Sequence, residues 1–267
     1  MDDSRRFGLT SPQRLRRLIF GEVADLYDRY RPTYPEALFD ELISFAGLKP
    51  GDPALEVGAG TGKATVALVR RGLALTALEP SHQMAEVNRA NLAGSTGVNL
   101  LETSFEDWEP GSTRFRLICS AQAWHWVDAE IGYAKAARLL LPTGVLGLFW
   151  NRPEPTVDRL QTDLDEIYQR LAPTPPRGLP GEREIDRTEE IEGSGHFGPV
   201  ALREFHSQVR YSVDEYKALL RTQSDHRMLE PQVLERLLQE VGTVLERAGG
   251  SLLCPYVTLL YLARPRG

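Results

Sequence analysis

Cysteine is scarce: the 267 residues contain two, Cys119 and Cys254. They are isolated, so neither a zinc motif nor a disulfide framework can be assembled from them, and no metal is expected. Both sit in apolar runs, where reduced, buried thiols are the default expectation. Long apolar stretches are missing too. The longest, Leu139 to Trp150, is interrupted by Pro142, Thr143 and Gly144 and is too short to span a bilayer. Arg5-Arg6 suggests a twin-arginine export signal, but Ser11-Pro12-Gln13-Arg14-Leu15-Arg16-Arg17 supplies no apolar core for one. A cytoplasmic protein with no membrane partner is expected. Positive charge is in deficit: 31 Lys and Arg against 37 Asp and Glu give a net charge of −6. That balance argues against a nucleic acid as the main partner, and the Arg14, Arg16, Arg17 cluster reads as an exposed helix face.

What is present is ordinary globular composition, 42% apolar and 25% charged. The length suits one large α/β domain, or one domain carrying a lid. From about residue 35 to 150 helix-like and strand-like runs alternate. Leu38, Phe39, Leu42, Ile43 and Ala46 recur at helical spacing before Gly47. Strands are expected at Pro53 to Val57, Leu73 to Leu78, Val98 to Leu101, Phe115 to Cys119 and Val145 to Trp150. Between them Thr65 to Arg71, Ser81 to Asn91 and Ala129 to Leu140 read as helices. This alternation predicts a mostly parallel sheet covered on both faces.

Beyond Trp150 the pattern loosens. Val157 to Leu171 reads as a helix, and prolines and glycines cluster from Pro173 to Gly181. Val200 to Val209 alternates like a strand, Ser212-Val213-Asp214-Glu215 is a capping box, Pro231 to Ala248 is an amphipathic helix, and Tyr256 to Ala263 is a last strand. The helices between 212 and 248 thus fall between two strands and read as a cap on the sheet.

The segment Glu56-Val57-Gly58-Ala59-Gly60-Thr61-Gly62-Lys63 joins a strand to a helix. Its glycines allow a tight turn and close approach of backbone to a ligand. A phosphate loop would need a glycine at position 57 and a hydroxyl at 64, where Val and Ala stand. A dinucleotide fingerprint would need a small third residue at 63, where Lys stands, so an NAD(P)-dependent oxidoreductase is disfavoured. A G-x-G-x-G turn remains. Glu79 ends the next strand, 21 positions after Gly58, where a carboxylate can accept from two vicinal ribose hydroxyls.

These residues resemble the first motif of the class I S-adenosylmethionine-dependent methyltransferases. Ser104-Phe105-Glu106-Asp107-Trp108 resembles that family's adenine-binding motif, and Ser120 to Asp128, with Ala123-Trp124-His125-Trp126, its motif after the fourth strand. Ala24 to Pro35 and the Trp-His-Trp run are similar to a small-molecule branch related to ubiquinone/menaquinone and trans-aconitate methyltransferases. The resemblance implies an α/β Rossmann-like, doubly wound, seven-stranded and mostly parallel sheet with helical lid insertions. It divides the chain into an N-terminal lid segment (1–34), a cofactor-binding core (35–155) and the remaining sheet with a substrate cap (156–267, the cap at about 156–198 and 212–250).

The resemblance implies S-adenosyl-L-methionine as cofactor and S-adenosyl-L-homocysteine as product. Cofactor contacts are expected from Glu56, Gly58, Ala59, Gly60, Glu79, Pro80, Met84, Ser104, Phe105, Ala121, Gln122 and Trp126. Ser104 stands where relatives often carry Asp, which weakens the expected contact to the adenine amino group. Glu56 is expected to meet the ammonium end through water, and a strand-end charge reaching solvent is the competing reading. His125, Tyr27 and Trp124 are the catalytic candidates. His125 is either a general base or a residue that lines the pocket. Two indoles beside a sulfonium make physical sense, and core packing is the competing reading for at least one of them. Tyr30, Arg31, Asn151, Arg221 and His226 are candidates for the acceptor. The expected function is methyl transfer to a small-molecule acceptor by in-line displacement. The alternative is a cofactor-binding member of the fold that transfers no methyl.

Overall fold

The apolar run around Leu55 forms a central strand, β1 (Pro53–Val57). It is flanked by β2 (Ala74–Leu78), β3 (Val98–Leu101), β4 (Phe115–Ala121), β5 (Leu140–Pro153), β6 (Ala201–Ser212) and β7 (Ser251–Ala263). The computed structural model describes residues 23–154, 159–172 and 187–266. Most of the expected N-terminal lid, the Arg14, Arg16, Arg17 cluster and the Pro173 to Gly181 stretch lie outside the described residues.

The strands form one sheet in the order β3-β2-β1-β4-β5-β7-β6. β1 to β5 pair in parallel, and β7 runs antiparallel to both β5 and β6. This is the doubly wound, mostly parallel α/β sheet that the sequence predicts. Strand order reverses between β1 and β4, and at such a reversal the loops after the carboxyl ends part to leave a crevice.

Side chains alternate across the sheet, as a two-residue period requires. Leu55, Val57, Ile118, Leu146 and Leu148 pack on one face with Tyr133, Ala136 and Leu139 of α5 (Ala129–Leu139). Ala54, Leu75, Leu117 and Phe149 pack on the other with Leu38, Phe39 and Leu42 of α2 (Glu36–Ala46) and Ala67 and Leu68 of α3 (Lys63–Arg70). Ahead of α2 runs α1 (Ala24–Tyr30), and α4 (His82–Asn91) follows β2 with Ser81 as its N-cap.

The cap is built from α6 (Arg159–Leu171), α8 (Val213–Arg221) and α9 (Pro231–Arg247). These helices bury Leu164, Ile167, Leu220, Leu237, Leu238 and Val241 in a cluster of their own. Ser212 and Glu215 form the expected capping box at the start of α8.

Three details differ from the sequence reading. β5 and β7 are longer than their apolar runs, because the antiparallel ladder continues through Arg152 opposite Val257 and Pro153 opposite Tyr256, and β7 then follows β6 to Ser251. A short helix, α7 (Arg187–Gly193), was not expected, since Ile191 is its buried residue and the rest is polar. Cys119 is buried as expected, whereas Cys254 is half-buried; both thiols are free. Leu141 to Gly144 are passed over where the β4–β5 register shifts, so the residues that interrupt the apolar run sit at an irregularity. No described helix is long and apolar enough to cross a membrane.

Candidate active site

The turn after β1 alternates into the left-handed region at Gly58 (φ 71°), Gly60 (φ 55°) and Gly62 (φ 95°). Gly58 is needed for contact as well as conformation: a Cβ there would lie 2.3 Å from the Cβ of Ala123. At Gly60 the same construction meets open space. The turn is tied to β2 by the Gly58 and Ala59 N–H groups, which both donate to the Leu78 carbonyl at 2.9 Å. Glu79 completes the tie. Its Oε2 accepts from the Gly60 N–H and its Oε1 from the Ser81 N–H, each at 2.8 Å. One carboxylate therefore fixes the turn and the start of α4 together. Asn88, fully buried on α4, donates to the Gly60 carbonyl at 3.2 Å.

A cavity of about 200 Å³ opens beside this turn, at the carboxyl ends of β1 to β4. Gly58 and Gly60 form part of its wall, with Glu79, Pro80 and Met84 from the β2–α4 connection and Thr103 to Glu106 after β3. Ala121, Gln122, Ala123, His125, Trp126 and Val127 line it after β4. Tyr27 and Arg31, from α1 and its end, and Ser224, after α8, reach it from outside the sheet.

Gln122 is the non-glycine residue with positive φ among those described, at 61°. Its N–H donates to the Phe149 carbonyl at 2.9 Å and its side chain to the Asn151 carbonyl at 3.2 Å, which holds the strained backbone. The three-residue 3₁₀ turn Trp124–Trp126 follows. It sends neighbouring side chains in different directions. Trp124 is 1% exposed and packs against Phe105 and Tyr133, with centroids 5.7 and 5.4 Å away. Trp126 faces the cavity with its ring 4.6 Å from that of His125. The Trp150 indole N–H donates to His125 Nδ1 at 3.3 Å. An indole N–H can only donate, so in neutral His125 the ring proton sits on Nε2.

Glu56, on β1, is 1% exposed; the Thr65 hydroxyl is the one side-chain donor that acts on its carboxyl, at less than full hydrogen-bond geometry, and no cation is beside it among the groups that act on it. Burial pushes its carboxyl up to about 8. The Thr65 hydroxyl nearby pulls the other way, and the Glu79 carboxylate adds to the rise. Burial likewise raises the Tyr27 phenol, with Arg31 opposing and Glu79 assisting.

Arg31 lies with its guanidinium 5.2 Å from the Tyr27 ring centre. It donates from Nε to the Thr222 hydroxyl and from Nη2 to the Thr222 carbonyl, both at 2.9 Å. The N-terminal segment and the cap are joined at this point.

The structure thus brings Tyr27, Arg31, Gly58, Gly60, Glu79, Pro80, Met84, Ser104, Phe105, Ala121, Gln122, His125 and Trp126 to one cavity. Other expected residues lie elsewhere, and Glu56, buried on β1, is not among those lining the cavity, although the next residue, Val57, is. Ala59 is buried in the turn, and Trp124 belongs to the core. Tyr30 packs beside Tyr211 and Tyr216, and its carbonyl accepts from the Tyr211 hydroxyl at 3.1 Å. Asn151 uses its side-chain amide on the Thr33 carbonyl at 3.1 Å and its oxygen on the Thr258 hydroxyl, so it straps the segment before α2 to the sheet. Arg221 pairs with Glu235 at 2.8 Å on the cap surface. His226 is buried between the Tyr168 hydroxyl (2.8 Å from Nε2) and Asp225 Oδ1 (2.9 Å from Nδ1). Ser104 donates to Asp107 Oδ2 at 2.7 Å and accepts the Asp107 N–H at 3.2 Å, closing its own loop. Thr103, Glu106, Val127 and Ser224 line the cavity without having been assigned a role from sequence. Glu106 and Val127 lie within recognised motifs and Thr103 borders one, whereas Ser224 carries no spacing signal.

Residues 54–144 match a family described as "Methyltransferase domain". An uncharacterized methyltransferase of Mycobacterium tuberculosis is 33% identical over 256 residues, covering 94% of this chain and 97% of its own. Among solved structures, a mycolic acid cyclopropane synthase complexed with S-adenosylhomocysteine superposes with a TM-score of 0.56 at 16% identity, over 95% of this chain and 99% of that one. Phosphoethanolamine N-methyltransferase 2 of Haemonchus contortus, in complex with S-adenosyl-L-methionine, gives 0.52 at 14% identity, over 94% of this chain and 57% of that one.

Proposed function

Because the chain belongs to the class I S-adenosylmethionine-dependent methyltransferases, we propose that the cavity beside the glycine turn takes this cofactor and that its methyl group passes to a small-molecule acceptor by in-line displacement, releasing S-adenosylhomocysteine. The observation that carries the reading is that the glycine turn, Glu79 and the His125–Trp126 loop all border one cavity.

The residues fit such a ligand on two counts. Glu56 holds a buried carboxyl with no cation beside it, which a cationic ligand would complement, and the hydrogen side of Gly60 faces open space. The cofactor supplies an electrophilic methyl carbon on a sulfonium. Gly58 and Gly60 let backbone run along the ligand. Glu79, already oriented by Gly60 and Ser81, accepts from ribose hydroxyls. Met84 and Phe105 border the adenine, with Ser104 at its edge. Trp126 offers an aromatic face to positive charge. Tyr27, His125 and Arg31 stand on the acceptor side, and Ser224 brings the cap to the same opening. The core around 35–155 holds the cofactor, and α1 with the cap encloses the acceptor. That enclosure and the net charge of −6 favour a small molecule over a nucleic acid. Holding two reactants at near-attack distance contributes ~7–11 kcal/mol toward the barrier, and no protein nucleophile is required.

Titration calorimetry with S-adenosylmethionine tests the reading. Binding is expected, and no heat at millimolar ligand overturns it. Glu79→Ala is expected to weaken binding tenfold or more (~1.4 kcal/mol). Unchanged affinity would remove the ribose assignment. Methylated products should appear by mass spectrometry when pooled small acceptors are supplied.

A further inference from the structure

The Glu56 carboxylate is out of place in the protein as it stands. An ionised carboxylate buried with one hydroxyl and no positive charge beside it is strongly disfavoured. Its strand neighbours are Ala77 on β2 and Cys119 on β4, which bring no positive charge. The ionisable groups that act on it or feel it are Glu79 at the end of β2, Cys119 and Tyr34, and each would be neutral or negative. Thr65, from α3, is the nearby hydroxyl. Lys63, at the start of α3, sends its ammonium to the Asp28 carbonyl at 2.5 Å. Arg31 acts on Tyr34 and Tyr27 and is bound to Thr222.

On this geometry, and resting on the cofactor assignment above, we infer that S-adenosylmethionine binding is coupled to ionisation of Glu56. In the free protein Glu56 keeps its proton. Binding brings positive charge to the turn beside Glu56, which favours the carboxylate. The O–H bond of Glu56 breaks, its electron pair stays on the carboxylate, and the proton passes to buffer. The contribution of Glu56 to cofactor affinity therefore rises with pH up to the carboxyl's raised value of about 8 and levels off above it. Glu56 acts in this way as a positioning residue whose charge, at neutral pH, appears when there is a cation to meet it.

The test is calorimetric titration of the full chain with S-adenosylmethionine at pH 7 in buffers of different ionisation enthalpy. The slope of observed heat against buffer enthalpy counts protons released. Glu56→Gln reports whatever the ligand's own amino group contributes. The wild-type slope is expected to exceed that of the variant by about one proton. The same pair of proteins gives a second reading, because the difference between their slopes should vanish at pH 9.5, where Glu56 is already ionised. Binding with equal slopes in the two proteins at pH 7, or a difference between them that persists at pH 9.5, overturns the inference and leaves the cofactor assignment intact. No binding at all overturns both.

Discussion

The indole N–H of Trp150 donates to Nδ1 of His125 at 3.3 Å. This bond decides what His125 offers the cavity. With Nδ1 accepting, the neutral ring carries its proton on Nε2 and presents a hydrogen-bond donor. A general base needs a free lone pair within reach of the acceptor's proton, and here the lone pair is engaged by Trp150. Of the two roles the sequence allows His125, general base or lining residue, the hydrogen bond favours the second, with the ring orienting the acceptor. ¹⁵N NMR of histidine-labelled protein should show Nδ1 unprotonated and Nε2 protonated, and Trp150→Phe should shift the balance toward the other tautomer. A protonated Nδ1 in the wild-type protein overturns this assignment.

Gly58→Ala should fail for a local steric reason. The left-handed φ of 71° costs an L-residue ~1–2 kcal/mol, and the new Cβ would sit 2.3 Å from Ala123, which must then move. Gly111 has a similar φ of 65° but open space around it. Gly111→Ala should therefore show the conformational cost alone. Urea denaturation should give Gly58→Ala the larger loss by about 1–3 kcal/mol, together with weaker cofactor binding. Equal losses would mean that the contact with Ala123 is unimportant.

The strand ends are legible because glycine and carboxylate signals punctuate apolar runs there, and Gly58 and Glu79 both border the cavity at those ends. Adjacent residues in a tight turn are not. Trp124 and Trp126 are indistinguishable as letters, and only the 3₁₀ turn sends one into the core and the other to the cavity. Arg221 and His226 illustrate a second limit. Both sit in a segment expected to meet the acceptor, but their partners Glu235 and Tyr168 come from helices whose docking no local pattern specifies. Asn151 found its partners in the segment before α2, 118 positions away. The length of β5 and β7 was likewise set by pairing between strands distant in sequence.

Tyr168 and His226 form a buried polar pair inside the cap. Burial holds the Tyr168 phenol well above its usual pKa, so its hydroxyl stays protonated and donates to Nε2. Nδ1 then faces Asp225. Tyr168→Phe strands a buried imidazole nitrogen, which should cost about 1–3 kcal/mol. Thermal denaturation should register that loss, while calorimetry with S-adenosylmethionine should find affinity within twofold of wild type. A large fall in cofactor affinity without a stability change would instead bring this pair into the site.

Glu56 also makes a prediction about folding. Its carboxyl rises from the usual 4.5 to about 8 in the fold. Between those values the native state holds a proton that the unfolded chain has lost. Stability of the free protein must then fall as pH rises through that window. At about 1.4 kcal/mol per unit, the penalty at pH 7 is on the order of 3 kcal/mol. Glu56→Gln removes the titration and keeps the shape. The variant should unfold at higher urea than the wild-type protein at pH 7 to 8, and the gap should close near pH 4, where both carry a neutral side chain. A gap independent of pH would mean that Glu56 is already ionised in the free protein, with a counter-charge close enough to hold it so.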